Sequence, residues 1–177
     1  VAISADGEYI AAGSVDGKVY FFDRASSTPL WSYTTDEDVY SVSISADGEY
    51  IVAGSYDDKV YLFNKDSNTP LWSNTTKGQV YSVAISADGE YIVAGGNAIG
   101  DQGSFNLFNK DSSTPLWSYD FDADDDPRVD ISADGKYISI ASRDSNVYLF
   151  KNNPVSRPSV IPYGPRSSTE TTLNTTL

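Results

Sequence analysis

The heptapeptide ISADGEY stands at Ile3, Ile44 and Ile85, and ISADGKY follows at Ile131. An acidic segment with a central Asp-Gly, present four times, could form four active sites, four metal loops or four turns. A second acidic group, Asp120, Asp122 and Asp124 with Asp125 and Asp126 behind it, spaces carboxylates at positions one, three and five, as oxygen ligands for Ca²⁺ are spaced. Its sixth position is Asp125 rather than Gly and its twelfth is Ile131 rather than Glu, which excludes an EF-hand. A looser Ca²⁺ loop is one reading, and a solvated loop of mutually repelling charges is the other. The chain has no His and no Cys. That removes the usual zinc ligands, the usual general base and every Ser-His or Cys-His nucleophile pair.

Charge narrows the partners further. Net charge is −13, and residues 1–150 hold 9 basic against 24 acidic residues, whereas 151–177 hold 3 against 1. Such a field repels nucleic acid and anionic lipid and attracts cations and basic protein surfaces. No apolar run is long enough for a membrane span, so neither membrane insertion nor a nucleic-acid partner is expected. The sequence starts at Val1, inside a strand-like segment, and reads as a fragment of a longer frame. Absence of cysteine fits more than one compartment, with an extracytoplasmic or cell-surface place favoured.

These residues must be positioned by a repeat. Units open at Val1, Val42, Val83 and Val129, spanning 1–41, 42–82, 83–128 and 129–150, and the first two share 28 of 41 residues. In the second unit VYSVSIS, YIVAGS, KVYLFN and PLWSNTT are four β-type segments parted by turn-formers, with no helical periodicity. Four strands per unit of about forty residues is the arithmetic of a propeller blade. The fold expected is therefore all-β: a β-propeller of four-stranded antiparallel blades, with three and a half to four blades present. Ser-Ala-Asp-Gly lies between the first and second strands, where Gly supplies a positive φ and Asp6, Asp47, Asp88 and Asp134 bond the local backbone. The heptapeptide is thus a turn. Ala12, Ala53 and Ala94, with Gly13, Gly54 and Gly95, are small where neighbouring blades approach. Pro29, Pro70 and Pro115 are expected to begin the fourth, outermost strand.

VYSVSISADGEYIVAGSYDDKVYLFN resembles the WD-repeat pattern, although Phe22-Asp23, Phe63-Asn64, Phe108-Asn109 and Phe150-Lys151 replace Trp-Asp and there is no Gly-His. The second half of each unit, as in GKVYFFDRASSTPLWSY, is similar to the repeat of pyrroloquinoline-quinone-type propellers, which end the outer strand in Leu-Trp. That likeness implies that Trp31, Trp72 and Trp117 dock one blade on the next and bind no cofactor. It does not carry quinone chemistry, and without cysteine the vicinal disulfide of many such enzymes is impossible here.

Function is expected where the repeats differ. SVDGK and SYDDK become GGNAIGDQGS at 95–104, and TTDEDV and TTKGQV become DFDADDDPRV at 120–129. Loops after the second and fourth strands emerge at one end of an up-and-down blade, so both irregular segments crowd one rim. Asn97, Ile99, Asp101, Gln102 and Phe121 are the candidate partner-binding residues there, and Asp120, Asp122 and Asp124 the candidate Ca²⁺ ligands; no other cofactor is expected. Residues 151–163 have room for a last outer strand near Val160, and the Ser/Thr-rich stretch 164–177 reads as a disordered tail.

A non-enzymatic protein-interaction scaffold is the resulting expectation. Two alternatives stand beside it: a fragment of a propeller enzyme, quinoprotein-like or glycan-active through paired channel carboxylates, and a calcium-stabilised surface or adhesion protein. Self-association that completes the ring is a further expectation, because a partial propeller leaves apolar faces open.

Overall fold

In the computed structural model, which describes residues 1–98, 102–121, 127–142, 146–152 and 160–163, each repeat becomes one antiparallel sheet. The first holds β1 (Ala2–Ile3), β2 (Tyr9–Gly13), β3 (Lys18–Asp23) and β4 (Trp31–Thr34). The second holds β5 (Val39–Ile44), β6 (Tyr50–Ser55), β7 (Lys59–Asn64) and β8 (Trp72–Thr75). The third holds β9 (Val80–Ile85), β10 (Tyr91–Ala98), β11 (Gln102–Asn109) and β12 (Trp117–Phe121). The fourth holds β13 (Arg128–Ile131), β14 (Tyr137–Ala141), β15 (Val147–Lys151) and β16 (Val160–Tyr163). There is no helix among the described residues.

Strands are hydrogen-bonded in chain order within every sheet. First strands pack beside first strands, β1 on β5, β5 on β9 and β9 on β13, so they line the inner side and fourth strands lie outermost. This is the blade arrangement of a β-propeller.

The core lies between sheets rather than within one. Trailing faces meet leading faces in three clusters: Ala11, Val19 and Phe21 against Ile51, Ala53 and Phe63; Val52, Val60 and Leu62 against Ile92, Ala94 and Phe108; Val93, Phe105 and Leu107 against Ile138, Ile140 and Phe150. The middle strands of the second sheet, packed on both sides, therefore bury both faces, which is why YIVAGS is apolar throughout rather than alternating. Each Val, Leu, Ile and Phe among them contributes on the order of 1.5–3 kcal/mol by leaving water. Close approach is met by glycine: a Cβ on Gly13 would come within 2.6 Å of Val39 Cγ1, and one on Gly54 within 2.5 Å of Val80 Cγ1.

Two strand ends need comment. The fourth strands start at Trp31, Trp72 and Trp117, two residues after the prolines expected to begin them. Proline has no N–H to give, and the first outer-strand bond comes instead from Leu30 N–H to the Phe21 carbonyl at 2.8 Å. In the fourth sheet β16 pairs with β15, Ile161 facing Leu149 as Trp72 faces Leu62 in the second. Residues 164–177 lie outside the described residues.

Candidate functional site

The two rims differ in chemistry. One is made of the Ser-Ala-Asp-Gly turns and the loops after the third strands. In the first turn Ser4 Oγ donates to Asp6 Oδ1 at 2.6 Å, Glu8 N–H donates to the same oxygen at 3.0 Å, and Gly7 holds φ +72°. The pattern repeats at Ser45–Asp47, Ser86–Asp88 and Ser132–Asp134. The Ser132 hydroxyl, then Lys136, holds the Asp134 carboxyl down to about 2. Ser4 and Ser86 do the same for Asp6 and Asp88, which also lie below the ordinary carboxylate range. Ion pairs Arg24–Glu8, Lys65–Glu49, Lys110–Glu90 and Lys136–Asp134 balance this rim. Most of its carboxylates are committed to turns and ion-pair partners.

The other rim joins the loops after the second and fourth strands. Thr35 Oγ1 donates to the Gly17 carbonyl at 2.8 Å, Thr76 Oγ1 to that of Asp58 at 2.8 Å, and Tyr56 N–H to that of Asp38 at 3.0 Å. On it lie Asp16, Asp36, Glu37, Asp38, Asp57 and Asp58, against one ion pair from this group, Lys59–Asp36 at 2.8 Å, among the described residues. Asp57 also accepts from Tyr61 Oη, and burial first, then this bond, raises the Tyr61 phenol.

Three tyrosines meet on the same rim. Tyr40 stacks on Tyr56 at 4.3 Å between ring centroids and 12°, and Tyr81 meets both edge-on at 5.9 and 5.2 Å. Tyr40 is 49% exposed. Its position follows from strand pairing: Val39 faces Ser55 and Ser41 faces Gly54, so Tyr40 is the extra residue of a β-bulge, and Tyr81 is skipped likewise where Gly95 faces Ser82 and Gly96 faces Val80. Bulges re-aim side chains and are common beside binding sites.

Of the residues singled out in the sequence, Asn97 reaches this cluster, its Nδ2 donating to Tyr81 Oη at 3.3 Å. Gln102 pairs with Ala98 at the start of β11, and Phe121 pairs with Gly103 at the end of β12. Ile99, Asp101, Asp122 and Asp124 lie outside the described residues. Asp120 is bridged by Lys77, and no group of three or more acidic side chains able to hold a metal occurs among the described residues. Trp31 Nε1 donates to the Lys65 carbonyl and Trp72 Nε1 to that of Lys110, each at 2.7 Å and each in the following sheet. Trp117 Nε1 is buried with no partner among the described residues. The tyrosines escaped a comparison of loop lengths. The signal available was Tyr56 standing where the first repeat has Val15.

The family model described as outer membrane protein assembly factor BamB, of the PQQ repeat type, matches residues 15–152. The chain belongs to that family. A WD domain, G-beta repeat model also matches, over residues 1–23. The BamB-type match covers the inter-sheet tryptophans and the tyrosine rim alike. No curated protein matches. Among 1336 matching chains of solved structures, one in a structure described as the crystal structure of the mitotic checkpoint complex is 16% identical, with a TM-score of 0.73. The match covers 92% of this chain and 51% of that one, so this chain spans about half its length. At that identity the likeness establishes the propeller fold.

Proposed function

We infer that the chain is a non-enzymatic propeller module that binds a basic protein segment on its tyrosine rim. The observation that carries this is the Tyr40–Tyr56 stack, with Tyr40 exposed, set beside Asp16, Glu37, Asp38, Asp57 and Asp58, which have no lysine or arginine ion-pair partner among the described residues. Aromatic rings with fixed geometry give contact area at low entropic expense, and ring faces attract Arg and Lys heads. Surrounding carboxylates steer and retain the same heads. The inner strands support the non-enzymatic part: β1, β5, β9 and β13 carry a single carboxylate, Asp130, whose Oδ1 accepts from Ile131 N–H at 2.9 Å. A glycosidase needs two.

The test is titration with an Arg/Lys-rich peptide and with a Glu-rich peptide of equal length, followed by chemical-shift changes of the tyrosines. The basic peptide binds, and Tyr40→Ala weakens it by about tenfold, about 1.4 kcal/mol. Equal response to both peptides, or binding that ignores Tyr40→Ala, overturns the reading.

A further inference from the structure

Tyrosines that meet at a rim can hold a cation in two ways, as a cage that surrounds it with ring faces or as one flat face on which it lies. The ring separations decide between them. Tyr40 and Tyr56 are nearly parallel, at 4.3 Å and 12°, so a ligand has no room between them. Tyr81 stands across both, at 5.9 Å from Tyr40 and 5.2 Å from Tyr56; being nearer Tyr56, it lies beside the stack and leaves the outer face of Tyr40 uncovered. Its hydroxyl is also held, donating to Gln79 Oε1 at 2.8 Å and accepting from Asn97 Nδ2 at 3.3 Å. Tyr81 is buried and Tyr40 exposed. The ring surface most open to a ligand is therefore a single flat one, that of Tyr40.

The stack occurs once. Tyr56 stands where the first repeat has Val15 and the third has Asn97, and Tyr40 and Tyr81 stand where the fourth has Pro127. Just before Tyr40 come two carboxylates with their charge unspent: neither Glu37 nor Asp38 makes a side-chain hydrogen bond or an ion pair among the described residues. Their main chain is nevertheless fixed. The Glu37 carbonyl accepts from Thr35 Oγ1 at 2.5 Å and from Ser55 Oγ at 3.2 Å, and the Asp38 carbonyl accepts from Tyr56 N–H at 3.0 Å. Asp57 differs, its oxygens being taken by Lys59 N–H, Tyr61 Oη and Asp36 N–H. Ring and carboxylates are thus set in place on one turn before any partner arrives.

We propose that the rim selects arginine: a guanidinium of the basic segment lies flat on the outer face of Tyr40, with its N–H edge turned to the Glu37 or Asp38 carboxylate. This rests on the basic-segment reading and adds which residue that segment must present. A guanidinium is planar and weakly hydrated, so one ring face suits it, and its donor fork matches a carboxylate. An ammonium is compact and strongly hydrated, and a single open face leaves most of its water in place. Lysine, methylated or not, gains most from a cage, which the stacking of Tyr40 on Tyr56 forecloses.

Two Gly/Ser peptides of one length and spacing, with arginine as the only basic residue in one and lysine in the other, are titrated into the full chain. The arginine peptide is expected to bind about tenfold more tightly, its side-chain CH₂ protons moving upfield under the Tyr40 ring. Tyr40→Leu, which keeps apolar area and removes the ring, is expected to bring the arginine peptide down to the level of the lysine peptide. Glu37→Gln combined with Asp38→Asn is expected to weaken the arginine peptide more than the lysine peptide. Equal affinity for both peptides, each weakened by Tyr40→Leu, overturns the selection of arginine and leaves the basic-segment reading standing. Binding of neither peptide overturns that reading, and the selection with it. A preference for arginine that survives Tyr40→Leu with unchanged circular dichroism overturns the placement on Tyr40. Absence of the upfield shift in the unsubstituted protein does so too, whatever the fold of the variant.

Discussion

Gly48 in the second sheet lies on the ring of Tyr9 in the first, so close that a Cβ there would come within 2.6 Å of Tyr9 Cδ2, and its φ is +74°. Gly7 has the same backbone conformation, φ +72°, but only Ile3 Cδ1 beside it, at an unstrained 4.0 Å. Both positions impose the left-handed penalty of about 1–2 kcal/mol on alanine, and only Gly48 adds overpacking of about 1–3 kcal/mol. In urea unfolding at a concentration where the chain is monomeric, Gly48→Ala is expected to lose more stability than Gly7→Ala by that second amount. Equal losses would remove the tyrosine-under-glycine contact from the forces that hold sheets together.

Asp58 is the one non-glycine residue with positive φ, +66°, among the described residues. It occupies the place of Gly17 in the preceding repeat, where φ is +75°. Aspartate tolerates this conformation better than most residues yet not as well as glycine. Asp58→Gly is expected to stabilise the fold by about 0.5–1 kcal/mol in urea unfolding, and it also removes one charge from the crowded acidic rim. A destabilised variant would mean that the Asp58 side chain is held by contacts outweighing its backbone strain.

Legibility from sequence divided along physical lines. The sheets were readable because strand composition, turn chemistry and the 41-residue period depend on local residue choice, and Gly13 and Gly54 announced close approach by being small between larger neighbours. The tyrosine cluster was not readable, because Tyr40 and Tyr81 are re-aimed by a one-residue slip in pairing against β6 and β10, which leaves Tyr40 exposed and Tyr81 buried against it and which neither repeat segment encodes alone. Long-range pairing likewise decides the tryptophans. Trp31, Trp72 and Trp117 share one motif, but only the first two have carbonyl partners for their indole N–H among the described residues.

That difference can be measured. Trp31→Phe and Trp117→Phe remove similar ring area from inter-sheet packing, while the former also strands the Lys65 carbonyl. Trp31→Phe is expected to lose about 1–3 kcal/mol more stability than Trp117→Phe, by calorimetry or urea titration. If Trp117→Phe is the more damaging, its indole N–H has found a partner and the inequality of the two joints is rejected.

The turn aspartates are expected to contribute to the acid limb of stability. Asp6, Asp88 and Asp134 are all held below the ordinary carboxylate value, Asp134 down to about 2, chiefly by the hydroxyl of the serine two residues before. A carboxyl whose folded pKa is depressed leaves the unfolded chain with more bound protons in that interval, so its contribution is complete above the unfolded value of about 3.9 and disappears as pH falls through the folded one. The opposing effect is general: at net charge −13, partial neutralisation of other carboxylates relieves repulsion as pH falls from 7. Melting temperature is therefore expected to hold or rise from pH 7 to about 4 and to fall between about 4 and 2. Ser132→Ala, which removes the hydroxyl that Asp134 accepts from, is expected to flatten that fall while lowering stability at neutral pH. The check is calorimetry of both proteins across the range, and parallel curves below about pH 4 would assign the acid limb to groups other than these turns.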